Sequence, residues 1–200
     1  MNEEHREVAA RYKAHRKFVR EVLEEQLLSE YRFRIDVGTI GDDVLRKARR
    51  DWYGHEKRRV NWDWENEILV KHYRRGPRGI EFSLSVEGQL CGLAVARVSR
   101  HKHWLSVTHL EGAPGTHRLK GKVLPIMVQG FQMYSAQISR DDEEQPGLRL
   151  LNPTDDAMVR YRQAGYNASA LTKRLCAVVI QPRTGENHEH RNEKEPESEA

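Results

Sequence analysis

Three basic residues surround one glycine directly before an apolar run in the second half of the chain. The stretch reads Arg118-Leu-Lys120-Gly121-Lys122-Val123, and the apolar residues after it repeat at helical spacing. A helix start carries unpaired N–H groups and positive partial charge, so it favours phosphate. Glycine lets the backbone approach a ligand closely, and arginine can hold a phosphate group through two hydrogen bonds. The stretch predicts a phosphate-binding turn; the alternative is a basic loop that only starts a helix.

The spacing around this turn does not fit a nucleotide-binding P-loop. Five residues separate Gly115 from the Gly121-Lys122 pair, where a P-loop has four. Val123 also stands where a P-loop needs the hydroxyl of Ser or Thr for magnesium. We therefore reject that reading.

A second pattern lies on a short predicted helix that Thr154 caps. Ala157, Tyr161, Gly165 and Tyr166 follow one another in the order Ala-x-x-x-Tyr-x-x-x-Gly-aromatic. A tyrosine hydroxyl placed in a site can give its proton to a leaving group. The alternative for Tyr161 is a helix tyrosine packed under a sheet.

Together the two patterns, in this order and separated by a helix and a strand, resemble the Gcn5-related N-acetyltransferases (the GNAT family). The cofactor motif of that family is Gln/Arg-x-x-Gly-x-Gly/Ala. Here Arg118 and Gly121 match it, whereas Val123 replaces the small third residue. The asparagine that the family carries before the alanine of the second pattern is replaced by Thr154, with Asn152 two residues earlier.

The resemblance covers roughly residues 79–166, and more weakly residues 31–182. It implies an α/β fold (α+β mixed sheet), namely a GNAT-like acyl-CoA N-acyltransferase fold with an extra N-terminal helix. It also implies transfer of an acetyl group from acetyl-CoA to a primary amine by direct attack in a ternary complex. Coenzyme A would lie between two splayed parallel strands, residues 104–112 and 148–152. The cofactor-binding residues implied are Leu110, Gly112, Arg118, Leu119, Lys120, Gly121, Lys122, Val123 and Asn152.

The resemblance implies catalytic roles as well. Tyr161 would protonate the departing thiolate, which is less basic than a phenolate, so this acid is helpful and not indispensable. For the base that deprotonates the amine we predict Glu111 first, because members of the family often carry a carboxylate on this strand. His109 is second, since imidazole titrates near neutral pH, and Glu81 on an earlier strand is third. The alternative for each is a structural or substrate-orienting role.

Strand periodicity predicts where these candidates point. Side chains two residues apart on a strand share a face. The pattern therefore predicts that His109 and Glu111 point to the same side as Leu105 and Val107.

Apolar periodicity and turn residues predict a single mixed sheet with helices on its faces. Helices are predicted at residues 3–29, 39–54, 61–75, from about 122, and at 154–164. Strands are predicted at residues 31–38, 80–88, 89–100, 103–112, 148–152 and 169–181.

Composition bounds the class of protein. The chain has 200 residues of which 38% are hydrophobic, enough for one core, and no run approaches the roughly 18 apolar residues of a membrane span. Cys91 and Cys176 stand alone in apolar runs, without disulfide or metal spacing, which indicates reduced core residues. The start lacks the apolar segment of a secretory signal. A cytoplasmic protein without a metal site is predicted.

The chain is predicted to have three regions, and the last of them differs in charge from the rest. Residues 1–30 form an N-terminal helical extension, residues 31–182 the acetyltransferase-like domain, and residues 183–200 an acidic tail. The tail holds six Glu, two Arg and one Lys, a net charge of −3. Because the whole chain has a net charge of +4, residues 1–182 carry about +7. With almost no apolar residues, the tail is predicted to be disordered.

Three other interpretations stay open. The domain could bind coenzyme A or a partner protein without turnover, as the departures at Val123 and Thr154 suggest. Residues 46–59 hold seven Arg or Lys beside two aromatics, a composition that can contact nucleic acid but is more often a solvated helix face. The N-terminal helix could cover the sheet or mediate a homodimer. The acceptor amine, on a small molecule or a protein, is not predicted.

Overall fold

The computed structural model describes residues 3–73, 76–140, 145–163, 167–172 and 175–180. Its helices are α1 (Glu3–Glu30), α2 (Asp42–Asp51), a π-helix (Trp64–Tyr73), α3 (Val123–Ser139) and α4 (Asp155–Gln163). Its strands are β1 (Asp36–Gly38), β2 (Gly79–Val86), β3 (Gln89–Val98), β4 (Trp104–Gly112), β5 (Gly147–Leu151), β6 (Asn167–Thr172) and β7 (Leu175–Ile180).

The strands form one mixed sheet in the order β1-β2-β3-β4-β5-β7-β6. Among the described strands only β4 and β5 run parallel, and α3 makes the crossover between them. β2 and β3 are joined by a tight turn in which both Glu87 (φ 50°) and Gly88 (φ 79°) are left-handed, the conformation of a two-residue hairpin turn. The predicted mixed α/β sheet is therefore confirmed.

The two faces of the sheet bury separate apolar clusters. On one face α1 and α3 pack together, and the stripe of α1 that faces inward consists of Tyr12, His15, Val19, Leu23 and Leu27. On the other face α2 and the π-helix bury Trp52, Trp64 and Ile68 against β3. The N-terminal helix thus covers the sheet and belongs to the main core.

Helix starts follow the predicted chemistry with one exception. α3 begins at Val123, so that Pro125 lies in its first turn, where a missing N–H costs nothing. Thr154 caps α4 by accepting a hydrogen bond from the Ala157 amide at 3.3 Å. The predicted start of α2 at residue 39 is wrong: the helix begins at Asp42, and Gly41 occupies the cap position without a side-chain bond.

Two predicted strands differ from the structure. Residues 31–38 yield only the three-residue β1, because Ile35 and Phe33 bury against the core without pairing to β2. The predicted single strand 169–181 is a pair of antiparallel strands, β6 and β7. In the sequence, the charged residues Lys173 and Arg174 interrupt the apolar run, and this interruption indicates two strands in place of one.

Some predictions fall on residues outside the described ranges. They concern Gly165 and Tyr166 of the second pattern, the side chain of Cys176, and the acidic tail. Cys91 is described and is a buried free thiol. Among the described helices, none is both long and apolar enough to cross a membrane.

Candidate active site

A narrow cleft opens where β4 and β5 part. The parallel pairing runs from Trp104 opposite Gly147 to Val107 opposite Leu150 and then stops, while β4 continues along β3 as far as Gly112. The cleft has a volume of about 60 Å³. Its walls are residues 107–110 of β4, residues 150–154, Ala157 and Tyr161 of α4, and Val60 and Trp62 from the loop before the π-helix.

Four of the predicted site residues meet in this cleft: Tyr161, His109, Leu110 and Asn152. Tyr161 is 8% exposed and lies on α4 directly beside the end of β5. Asn152 takes a left-handed φ of 45°, which turns the chain out of β5. Glu111 and Gly112 lie further along β4, outside the lining.

A β-bulge at Thr108 changes the face on which the following residues lie. Ala96 pairs with Val107, but its neighbour Val95 pairs with His109, so Thr108 is the extra residue. Because Ala96 and Val95 point to opposite faces, so do Val107 and His109. The prediction that His109 and Glu111 share a face with Leu105 and Val107 is therefore wrong. The two candidates share the face of the π-helix instead.

His109 is held between aromatic rings and the bulge. Its ring lies edge-on to Trp62, with centroids 4.9 Å apart, and its Nδ1 is 3.1 Å from the Thr108 hydroxyl. That hydroxyl is 3.5 Å from the Val95 carbonyl. The imidazole is thus oriented by its neighbours at the wall of the cleft.

The Glu111 carboxylate is buried and fully engaged. Its side chain is 5% exposed, and Arg58 donates to it from Nε at 2.7 Å and from Nη2 at 3.1 Å. The indole N–H of Trp64 donates to the same carboxylate at 2.6 Å. Although burial lowers the pKa of Arg58, the hydrogen bonds and charge of Glu111 outweigh it and raise that pKa above its usual value. These three bonds leave Glu111 poorly placed to accept a proton from a substrate.

Glu81, the third candidate base, also has an internal partner. Its carboxylate pairs with Arg20 of α1 at 3.0 Å, and both side chains are about nine-tenths buried. Burial raises the pKa of Glu81 and Arg20 opposes that shift. Glu81 does not line the cleft.

In the basic turn before α3, the apolar side chains are buried and the basic side chains are exposed. Leu119 is fully buried and Val123 is 6% exposed, so their side chains belong to the core and a ligand could reach only their backbone. Lys120 and Lys122 are exposed. Arg118 pairs with Glu87 at 3.0 Å on the surface, and its guanidinium lies over the Phe33 ring.

Gly121 takes a φ of +79°, which favours glycine, and a Cβ built on it would meet nothing within 4 Å. Before it, the amide of Lys120 donates to the His117 carbonyl; after it, the amides of Lys122 and Val123 donate to the Leu119 carbonyl. These bonds occupy the N–H groups of Lys120, Lys122 and Val123, so the unpaired N–H groups predicted around Gly121 are not those three. The glycine itself forms an open corner at the start of the helix. A phosphate could approach this backbone closely.

Strand order, cleft and turn together decide the fold. The parallel pair β4–β5 parts at the cleft, the glycine turn opens the crossover helix between those strands, and the tyrosine helix follows β5. This is the arrangement that the resemblance to the Gcn5-related N-acetyltransferases implies.

Comparisons with known proteins find only distant likenesses. No protein-family model matches the chain, and no curated protein matches it. Among solved structures, the ribosomal-protein-S18-alanine N-acetyltransferase from Escherichia coli is 14% identical with a TM-score of 0.47, over 72% of this chain and 90% of that one. An acetyltransferase from Thermus thermophilus is 11% identical (TM-score 0.48; 73% and 96%). The PaiA N-acetyltransferase from Thermoplasma acidophilum, in complex with coenzyme A, is 8% identical (0.47; 74% and 99%).

Arg58 is the site residue that sequence reasoning missed. It comes from the basic stretch 46–59, where it looked like one of seven surface cations. The structure pairs at least five of those seven with carboxylates, and only Arg58 among these pairs is buried. The sequence offered one indication of such a partner: Glu111 is the one acidic residue of the predicted strand 103–112, and a buried acid needs a cation nearby. It did not identify the partner.

Proposed function

We propose that this chain is an acetyl-CoA-dependent N-acetyltransferase that acts on a primary amine by direct attack. The observation that carries the proposal is the cleft between β4 and β5, which joins His109 on one side to Tyr161 on the other. A base and an acid facing one cavity suit a reaction in which one group loses a proton and another gains one.

The turn around Gly121 would hold the pyrophosphate of acetyl-CoA, with Lys120 and Lys122 adding positive charge. Arg118 can join them by leaving Glu87, because both side chains of that pair are more than half exposed and such pairs contribute little. Leu110 and Asn152 would line the path of the pantetheine arm. Bound acetyl-CoA supplies the thioester carbonyl that the amine attacks.

The bulge at Thr108 would help to polarise that carbonyl. A bulge takes one residue out of the ladder between β3 and β4, and we place the donor N–H among the residues around it that line the cleft. An N–H fixed there can stabilise charge that develops on the carbonyl oxygen. The nitrogen–carbon bond then forms, the carbon–sulfur bond breaks, and the Tyr161 hydroxyl gives its proton to the departing sulfur.

For the base, we propose His109 in place of our first sequence-based choice, Glu111. When the Thr108 hydroxyl donates to the Val95 carbonyl, its oxygen accepts the Nδ1 proton of His109. Nε2 then carries the lone pair that removes the proton of the amine. Glu111, bound to Arg58 and Trp64, orients this wall of the cleft.

Titration calorimetry with acetyl-CoA tests binding, and release of free thiol from acetyl-CoA in the presence of amines tests turnover. We expect micromolar binding and amine-dependent thiol release. Absence of binding at millimolar acetyl-CoA would overturn the proposal. Binding without release across a broad amine panel would favour the second candidate, a module that binds coenzyme A without turnover.

A further inference from the structure

The wall of the cleft that faces the π-helix is apolar and aromatic. The cleft itself is narrow, about 60 Å³, and we place only the reacting groups inside it. The body of an amine must therefore lie outside it. On the face of His109 that position is bounded by Val60 and Trp62.

The carboxylates of Glu111 on β4, and of Asp63 and Glu65 beside and within the π-helix, each have a partner within the protein. Glu111 is buried against Arg58 and Trp64. Asp63 accepts the amides of Glu65 and Asn66, at 3.1 and 2.9 Å, at the start of the π-helix. The backbone N–H of Asn66, and then its side-chain amide, lower the pKa of Asp63.

The third carboxylate, Glu65, forms an ion pair with Arg49 of α2. Among the described residues that line the cleft there is no Asp or Glu. A second positive charge on the acceptor would therefore lose water at this wall without gaining a buried counter-ion from the described residues of the lining, which is costly.

From these contacts we propose that the acceptor is a primary amine carried on an uncharged, apolar body, and that polycationic amines are poor substrates. The inference rests on the proposed acetyl transfer and names the substrate class of the same site. Val60 and Trp62 would contact the apolar body, while His109 would receive the proton of the amine. Arg58 acts as a specificity-determining residue, because it neutralises the one carboxylate on this strand.

Hexylamine and 1,6-diaminohexane make a matched pair of probes. They share one chain length and differ only in the ammonium group at the far end. We expect kcat/KM for hexylamine to exceed that for the diamine by at least about thirtyfold at pH 8, after correction for the two reactive ends of the diamine. Equal values, a preference for the diamine, or acetylation of neither amine by protein that binds acetyl-CoA would overturn the inference.

A charge placed on the wall gives a second, independent test. Trp62→Glu adds a carboxylate beside the cleft, and Trp62→Gln is the uncharged control of the same length. The ratio of kcat/KM for the diamine to that for hexylamine should be at least about tenfold higher in Trp62→Glu than in Trp62→Gln. An unchanged ratio would overturn the inference. If calorimetry shows that the wild-type protein does not bind acetyl-CoA, the proposed function itself is overturned. Calorimetry therefore separates failure of the proposed function from failure of the inference about the acceptor.

Discussion

The side chain of Val123 packs directly over Gly92 of β3. A Cβ built on Gly92 would lie 2.6 Å from Cγ1 of Val123, closer than real Cβ contacts allow. Val123 is the large residue that replaces the small one at the third position of the turn motif. It points into the sheet, because the absence of a side chain at Gly92 makes room for it.

This packing predicts strong coupling between the two positions. Gly92→Ala should lower the free energy of unfolding by about 1–3 kcal/mol through overpacking, and Val123→Ala in the same chain should recover part of that loss. Urea unfolding of the four variants of the double-mutant cycle measures the coupling. Gly76→Ala, whose new Cβ would meet its nearest neighbour at an ordinary 3.5 Å, is the control. Additive effects at positions 92 and 123 would contradict the packing.

The open corner at Gly121 predicts a loss of ligand binding that a matched glycine does not share. Gly54 has nearly the same φ, +76°, and its Cβ would also meet nothing within 4 Å. Alanine at either position should therefore cost about 1–2 kcal/mol of stability from backbone strain. Only Gly121→Ala should weaken acetyl-CoA binding, by about tenfold or more, in calorimetry. Equal affinities for the two variants would place the phosphate elsewhere.

The buried pair of Arg58 and Glu111 predicts that a single replacement is worse than a double one. Arg58→Met leaves a carboxylate uncompensated in the interior and should lower the free energy of unfolding by about 3–5 kcal/mol. Arg58→Met with Glu111→Leu should be markedly more stable than Arg58→Met alone, because no buried charge remains. Chemical unfolding at pH 7 measures both. If the double variant is no more stable than Arg58→Met, the uncompensated Glu111 carboxylate is not the cause of the lost stability.

His117 predicts a pH dependence of stability. Burial, and then the charge of Lys120, lower the pKa of His117, and its Nδ1 is buried without a hydrogen-bond partner. Because the unfolded chain binds this proton more readily, stability should fall as the pH drops below the ordinary imidazole pKa of about 6.5. His117→Gln should lose less stability than the wild type between pH 7 and pH 5. Parallel pH profiles of unfolding for the two proteins would rule this out.

Tyr161 predicts a loss in rate without a loss in binding. Tyr161→Phe removes the hydroxyl that would protonate the sulfur, so kcat should fall by about ten- to a hundredfold with an unchanged Kd for acetyl-CoA. Tyr134→Phe is the control, since that hydroxyl is buried under the sheet and outside the cleft lining. Thiol release and calorimetry give the two quantities. Equal rates for both variants would leave Tyr161 a packing residue.

Local chemistry explains what could be predicted along the chain. The start of α3 at its glycine turn, the cap of α4 at Thr154 and the left-handed hairpin turn at Gly88 each depend on residues within one turn of each other. The inward stripe of α1 follows from helical spacing alone. The order of these elements then led to the mixed sheet and to the resemblance.

The β-bulge at Thr108 could not be predicted from the sequence. Nothing in the alternation of β4 shows that Thr108 is an extra residue, because a bulge is defined by the register of the strand beside it. One such residue moved His109 and Glu111 to the opposite face from the one predicted. The same holds for the end of the β4–β5 pairing, which depends on the length of both strands.

The amino-acid sequence by itself determined the helices, most of the strands and the glycine turn, since each depends on neighbours along the chain. Its resemblance supplied one candidate acid and three candidate bases. Tertiary structure decided which of those groups meet. Arg58 and Glu111 are 53 residues apart, and only the packing of the π-helix region on β4 joins them and engages the Glu111 carboxylate in an internal ion pair. The reason is physical: whether a carboxylate can accept a proton depends on the charges and donors that folding places around it, and these come from distant parts of the chain.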